Sequence, residues 1–310
     1  MKTAVIFPGQ GSQHVGMGKD LYDGFFEVRE LYARANEVLG FDITGLSFEG
    51  PAEELNKTVR TQPALLLAGY AAYKALSLKG IVPEILAGHS LGEYTAVLAS
   101  GALSFESALR ITEVRGRLMQ EAVPEGEGIM AAVLGLPGEK VRAACKEIKS
   151  GYMEAANFNC PGQVVISGEA KALDEATVLL KDAGAKRVIP LQVSVPSHSR
   201  LMEEAAGRLA RFLFMEAEIK APRIPIVSNS DAIVISRPEE IMAALVRQLS
   251  NPVLWEDSLR AIWGAGIGTF IEAGPGKVLS GLVKKTLPDA SIFNVEDRES
   301  LSRTARELGL

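Results

Sequence analysis

Short apolar runs and longer stretches of helical period alternate along the chain. Residues 3–7 (TAVIF) and 85–87 (ILA) are continuous apolar runs of the length of buried strands. Residues 225–228 (PIVS) and 269–273 (TFIEA) read the same way. Between them, the spacing of apolar side chains predicts helices over 25–39, 62–78, 91–100, 104–122 and 238–249. The stretch 62–78 is apolar nearly all round, as suits a helix packed against a sheet, and Gly80 stops it. Ser104 is placed as the N-cap of the 104–122 helix and Gly101 as the C-terminal stop of the helix before it. Strands alternating with helices predict an α/β fold.

The pattern changes between Gly128 and Val193. An apolar run (129–134) precedes a helix starting near Pro137, whose apolar positions are Val141, Ala144, Cys145 and Ile148. Two strands, 152–159 and 163–167, flank the turn Cys160-Pro161-Gly162. A helix over 171–182 and a strand over 187–193 follow. The order β-α-β-β-α-β over some 65 residues predicts a ferredoxin-like unit inserted into the larger α/β domain. The expected division is 1–125 and 195–310 for the large domain and 126–194 for the small one.

Candidate chemistry gathers where strands end. Gly88-His89-Ser90-Leu91-Gly92 fits G-x-S-x-G between a strand and a helix, the context that pattern requires. A turn that sharp brings backbone against backbone, so a Cβ at either glycine would crowd it. Ser90 would then stand at the tip, above a helix N-terminus that favours developing negative charge, with the Leu91 N–H free to bind an oxyanion. The competing description is an ordinary glycine-rich turn. Pro8-Gly9-Gln10-Gly11-Ser12-Gln13 follows the first strand. It is no dinucleotide loop, since the third glycine of G-x-G-x-x-G would fall on His14. It is either a tight turn or the source of a second oxyanion donor, from Gln10.

A serine hydroxyl needs a base. The chain has three histidines, His14, His89 and His198. His89 is next to Ser90 on a sharp turn that should aim its side chain away. His198 follows a strand and a proline and comes after Ser90 in chain order, as in hydrolases built on this elbow, and elimination selects it; a lone surface histidine is the competing description. On the 104–122 helix, Arg110 and Arg117 share a charge-balanced face with Glu106, Glu113, Gln120 and Glu121. Arg115 instead keeps company with Ala108, Ile111, Leu118, Met119 and Ala122. A guanidinium there requires an anion, because an unpaired buried charge is very costly. That anion is either an internal carboxylate or a carboxylate of the substrate, held by the planar fork; a snorkelling side chain is the third possibility.

Composition narrows the field. The 310 residues are 47% hydrophobic, enough for a large core, and the net charge of −5 argues against a nucleic-acid footprint. Two cysteines, Cys145 and Cys160, provide neither a disulfide framework nor metal-ligand spacing. The first apolar run is too short for a signal peptide or a membrane span, which predicts a soluble cytoplasmic protein. Gly274-Pro275-Gly276-Lys277 is a phosphate loop only superficially: Val278 and Ile271 occupy positions the Walker pattern reserves for Ser or Thr and for Gly.

Seven collinear stretches resemble the malonyl-CoA:acyl carrier protein transacylase family. They are FPGQGSQ at 7–13, GHSLGEY at 88–94, RGRLMQEAVP from Arg115, NFNCPGQVVISG at 157–168, SVPSH at 194–198, RQLSNPVLW at 247–255 and GPGKVL at 274–279. Cys160 departs from the serine expected there. The resemblance implies an α/β-hydrolase-like large domain interrupted by the ferredoxin-like one, with the site in the cleft between them. It assigns Ser90 as nucleophile, His198 as base, Gln10 and Leu91 as oxyanion-hole donors, and Arg115 as the clamp for a malonyl carboxylate. It adds Gln248, whose backbone carbonyl would orient His198 in a dyad with no catalytic acid. It implies malonyl-CoA and acyl carrier protein as partners, no cofactor and no metal. An acidic carrier would need a basic patch; Lys181, Lys186, Arg187, Arg200, Arg208, Lys277, Lys284 and Lys285 are the available cations. A polyketide-pathway acyltransferase, a thioesterase or esterase, and a non-catalytic scaffold are the alternative readings.

Overall fold

In the computed structural model, which describes residues 2–191, 193 and 195–310, the apolar runs form two sheets. The large sheet takes β1 (Thr3–Phe7) and β2 (Ile85–Gly88), and the small one β3 (Gly128–Leu134), β4 (Met153–Cys160), β5 (Gln163–Glu169) and β6 (Arg187–Pro190). The chain then returns to the large sheet with β7 (Ile226–Val227), β8 (Val234–Ile235), β9 (Thr269–Ala273) and β10 (Ser291–Val295). The large sheet runs β10-β9-β1-β2-β7-β8, parallel throughout except for β8 at one edge.

The continuous apolar character of β1 has a direct cause. Val5 and Phe7 enter a core built with the helices Phe26–Leu39, Thr58–Leu78, Leu91–Ala99 and Phe105–Ala122. Ala4 and Ile6 enter a second core, on the other face, with Trp255–Gly264 and Val278–Thr286. A strand covered on both faces has no polar side to show. The helix expected from Gln62 starts four residues earlier, at Thr58, with Pro63 tolerated inside its first turns. Ser104 caps the Phe105–Ala122 helix, its Oγ accepting from the Ser107 N–H at 3.1 Å.

The small sheet is antiparallel, in the order β4-β5-β3-β6, with helices Gly138–Lys146 and Leu173–Asp182 on one face, the ferredoxin-like arrangement. Its last strand stops at Pro190, short of the expected Val193; Gln192 and Ser194 lie outside the described residues. The other face presents Met130, Val165, Leu191 and Val193 to the large domain. β4 also pairs with the segment after the Pro238–Ser250 helix, through Phe158 N–H to Val253 C=O (2.9 Å) and Val253 N–H to Ala156 C=O (2.8 Å). No helix among the described residues is long and apolar enough to cross a membrane.

Candidate active site

Four loops meet above the carboxyl ends of parallel strands, where open α/β sheets place their ligand sites. They follow β1, β2, β7 and β9. The loop after β2 is a strained elbow. Ser90 has φ 52° and ψ −110°, a conformation that persists only when its neighbours over-determine it. They do so here. His89 N–H donates to Phe7 C=O at 3.0 Å, and Ser90 N–H donates to the Asn229 side-chain oxygen at 2.7 Å. Asn229 also donates from Nδ2 to Gly88 C=O at 2.7 Å, so one amide grips both sides of the turn. The glycines are needed for close approach: a Cβ on Gly88 would lie 1.9 Å from Gly92, and one on Gly92 would lie 2.1 Å from the Phe7 carbonyl oxygen.

Ser90 Oγ lies 2.7 Å from His198 Nε2. The opposite ring nitrogen, Nδ1, lies 2.7 Å from the backbone carbonyl of Gln248. A carbonyl only accepts, so Nδ1 carries the proton and Nε2 presents its lone pair to the serine hydroxyl. His198, itself at φ 61°, is tied by its own N–H to Leu249 C=O at 3.1 Å. Burial, reinforced by the charge of Arg115, pushes its pKa down to about 3, so the imidazole is neutral at physiological pH. His89 points away from Ser90, its Nε2 2.8 Å from the Asn159 side-chain oxygen. His14 makes no contact with the dyad.

Arg115 is fully buried, and no carboxylate touches it among the described residues. Its Nη2 donates to Gln248 Oε1 at 2.9 Å and approaches Ser90 Oγ at 3.4 Å, while its guanidinium lies over the Tyr94 ring. Nε and Nη1 have no hydrogen-bond partner. The internal ion pair open to a buried arginine is therefore absent among the described residues, and two of the three guanidinium nitrogens are left without a partner. The charged stripe on the opposite face does not pair within its helix: Glu106 meets Arg34 and Glu121 meets Arg208, both on neighbouring helices.

Gln10 lines the same cleft as Ser90, and Leu91 opens the elbow helix, whose first N–H has no intrahelical acceptor. Gln248 does more than the expected carbonyl contact. Its side-chain Nε2 donates to Ser90 C=O (2.6 Å) and to Glu93 Oε2 (2.7 Å). Asn229 and Glu93 escaped sequence reasoning. A glutamate in the first turn of a helix ordinarily complements the helix dipole in solvent, and Asn229 sits in a Ser-Asn-Ser-Asp run that reads as a turn. Only the complete burial of the Leu91–Ala99 helix, every residue of it, could have hinted at Glu93.

The cleft, about 190 Å³, is walled by Met119 and Val195 on one side and by Met130, Val165 and Asn159 of the small sheet on the other. Among the expected cations, Lys285 reaches its rim, with Nζ 3.4 Å from Gln163 Oε1. Arg208 is spent on Glu121 and Lys284 donates to Pro288 C=O.

A strained serine above parallel strand ends, bonded to a neutral histidine in a covered cleft, marks a protein arranged for nucleophilic acyl chemistry. Comparison with known proteins narrows the class. Residues 4–309 match the acyl transferase domain family, and the chain belongs to it. It is 47% identical to the malonyl CoA-acyl carrier protein transacylase of Haemophilus influenzae over 97% of both chains. It is 45% identical to the Bacillus subtilis enzyme of that name, over 99% of this chain and 97% of that one. An acyl carrier protein S-malonyltransferase from Vibrio cholerae superposes with TM-score 0.95 at 46% identity, covering 98% of this chain and all of that one. A malonyl-transacylase solved in complex with a type II polyketide acyl-carrier protein superposes with TM-score 0.96, also at 46% identity, over 99% and 100%.

Proposed function

We propose that this protein transfers a malonyl group from malonyl-CoA to the phosphopantetheine thiol of acyl carrier protein, through a malonyl ester on Ser90. The observation that carries the reading is the pair of unpartnered nitrogens on buried Arg115, next to a serine already bonded to its base. His198 Nε2 takes the proton as Ser90 Oγ attacks the thioester carbonyl. The oxyanion is received by the N–H groups of Gln10 and Leu91. Collapse breaks the C–S bond, and CoA leaves with the proton returned from His198. In the second half the carrier's thiol gives its proton to His198, and its sulfur attacks the malonyl ester. The malonyl group departs on the carrier, and Ser90 recovers its proton. Each group used belongs to the chain, so the reaction draws on no cofactor.

Arg115 would receive the malonyl carboxylate on its planar guanidinium, where Nε and Nη1 are not yet committed to a partner. An acyl group without that carboxylate leaves a buried cation unpaired, which makes Arg115 the discriminator. In the same reading the chain divides into a large domain, 1–125 and 195–310, and an inserted small one, 126–194. The acidic carrier meets cations at the cleft rim, Lys285 among them, and the protein works in the cytoplasm. Fatty acid synthesis is the expected setting. The 46% identity to a polyketide-pathway enzyme keeps that pathway as a second reading with the same chemistry.

The test is intact-protein mass after mixing with malonyl-CoA, followed by phosphopantetheinylated acyl carrier protein. A malonyl adduct that forms on the wild type, fails to form on Ser90→Ala and moves to the carrier is the expected result. An adduct that decays as fast without the carrier would instead make the protein a hydrolase.

A further inference from the structure

Two carboxylates are fully buried among the described residues, Glu93 and Glu272. Glu272 accepts from the N–H groups of Leu279 and Ser280 and from the Ser280 hydroxyl, which anchors the start of the Val278–Thr286 helix. Glu93 does something different. Its Oε2 accepts from Gln248 Nε2 at 2.7 Å, and its Oε1 from the Asn229 N–H at 3.2 Å. It therefore touches both the residue that grips the elbow and the residue that bonds Arg115.

The consequence lies in the Gln248 amide. Its Nε2 has two hydrogens, and both are committed to oxygens, one on Glu93 and one on the Ser90 carbonyl. With that end fixed, Oε1 must face Arg115 Nη2, 2.9 Å away. Rotated by half a turn, the amide would set its NH₂ against a guanidinium, donor against donor. We propose that Glu93 is a positioning residue for acyl selectivity: by locking the Gln248 amide in one orientation it aims the Arg115 fork at the substrate carboxylate. This rests on the reading of Arg115 as the carboxylate clamp. A glutamine at position 93 cannot replace it. Its own amide would have to turn NH₂ toward either Gln248 Nε2 or the Asn229 N–H, so at most one of the two contacts that fix Glu93 against Gln248 survives.

The experiment is single-turnover acylation of Ser90 by malonyl-CoA and by acetyl-CoA, in wild type, Glu93→Gln, Gln248→Met, the double variant and Arg115→Ala. Glu93→Gln is expected to lose roughly 10- to 100-fold in kcat/KM for malonyl-CoA, mainly in KM, the range set by one hydrogen bond to a charged group. Acetyl-CoA should change by less than about 3-fold, because the elbow and dyad persist. Gln248→Met should reproduce the loss, and the double variant should be no worse than the poorer single, since both act on one path. Equal losses for the two donors would mean that Glu93 only supports the elbow, and unchanged selectivity or additive losses would equally overturn the proposal. If Glu93→Gln does not fold, the donor comparison in Glu93→Asp, one methylene too short to hold both Gln248 Nε2 and the Asn229 N–H, decides by the same criteria. Arg115→Ala separates the levels. Retained malonyl preference there defeats the clamp itself, whereas loss there with retention in Glu93→Gln defeats only the role of Glu93.

Discussion

The two sheets are covered differently, and the site divides along that difference. β1, β2 and β9 of the large sheet are buried along their whole length, pressed by helices from both faces. In the small sheet β3 alternates buried and half-buried positions, and β6 is mostly exposed. One of its faces rests on helices and the other forms a wall of the cleft. Strained backbone needs neighbours that forbid every alternative, and the doubly covered sheet supplies them at Ser90. So Ser90 and the clamp on it sit on the large sheet, while the small sheet contributes apolar side chains such as Met130 and Val165.

Substitutions can test that division. The largest effect belongs to the elbow: Ser90→Ala should abolish the malonyl adduct, with acylation down by at least about 10⁴-fold. Residual adduct of wild-type stability would move the nucleophile elsewhere. Arg115→Ala comes next, with roughly a 100-fold loss in kcat/KM for malonyl-CoA. The sign of its pH effect also follows. The Arg115 cation helps to depress His198, so its removal lets the histidine bind protons more readily. The acid limb of the acylation profile should therefore move to higher pH in Arg115→Ala, and an unmoved limb would uncouple the two residues.

Glu93 offers a stability test on the same sheet. Burial pushes its pKa up to about 7 from an ordinary 4.5, offset in part by Gln248, by the Asn229 N–H and by Arg115, while Asp231 adds to the rise. Because the folded protein holds this proton more tightly than the unfolded chain, the contribution favours folding at low pH and fades as pH rises from about 4.5 to 7. Glu93→Gln lacks that slope. Its thermal stability relative to wild type should climb across the window, by no more than about 3 kcal/mol in all. A flat difference would mean that Glu93 stays ionised throughout. The smallest effect is expected on the small sheet, where Ile189, 39% exposed on β6, should tolerate threonine within about 0.5 kcal/mol. A large loss there would erase the contrast between the sheets.

How much of this could be read from the residues depends on the distance over which each feature is determined. The elbow is local. Gly88, Ser90 and Gly92 announce it within five positions, and the structure returns it with both glycines pressed against backbone. The ferredoxin-like unit is nearly as local, since its alternation and turns lie within one segment. Arg115 could be placed on a buried face by period alone, but not its partner, because Gln248 lies 133 residues away on another helix. Asn229 was out of reach for the same reason, 139 residues from the serine it holds. Several short helices, including Lys19–Gly24 and Ala52–Leu55, were also missed, being too short to show a period. Packing creates the features that periodicity misses.

The strand order carries a consequence for how the protein comes into being. β1 lies between β2 and β9, so among the strands of this sheet the earliest to be made takes an interior place. Its partner on one side arrives by Gly88, but the other is not made until Thr269–Ala273. At ordinary rates of synthesis the interval is roughly 10 to 40 s. Throughout it β1 has an open edge, and until Asn229 emerges the serine has no amide to hold its strained turn. The nascent chain therefore carries its nucleophile early and its working geometry late.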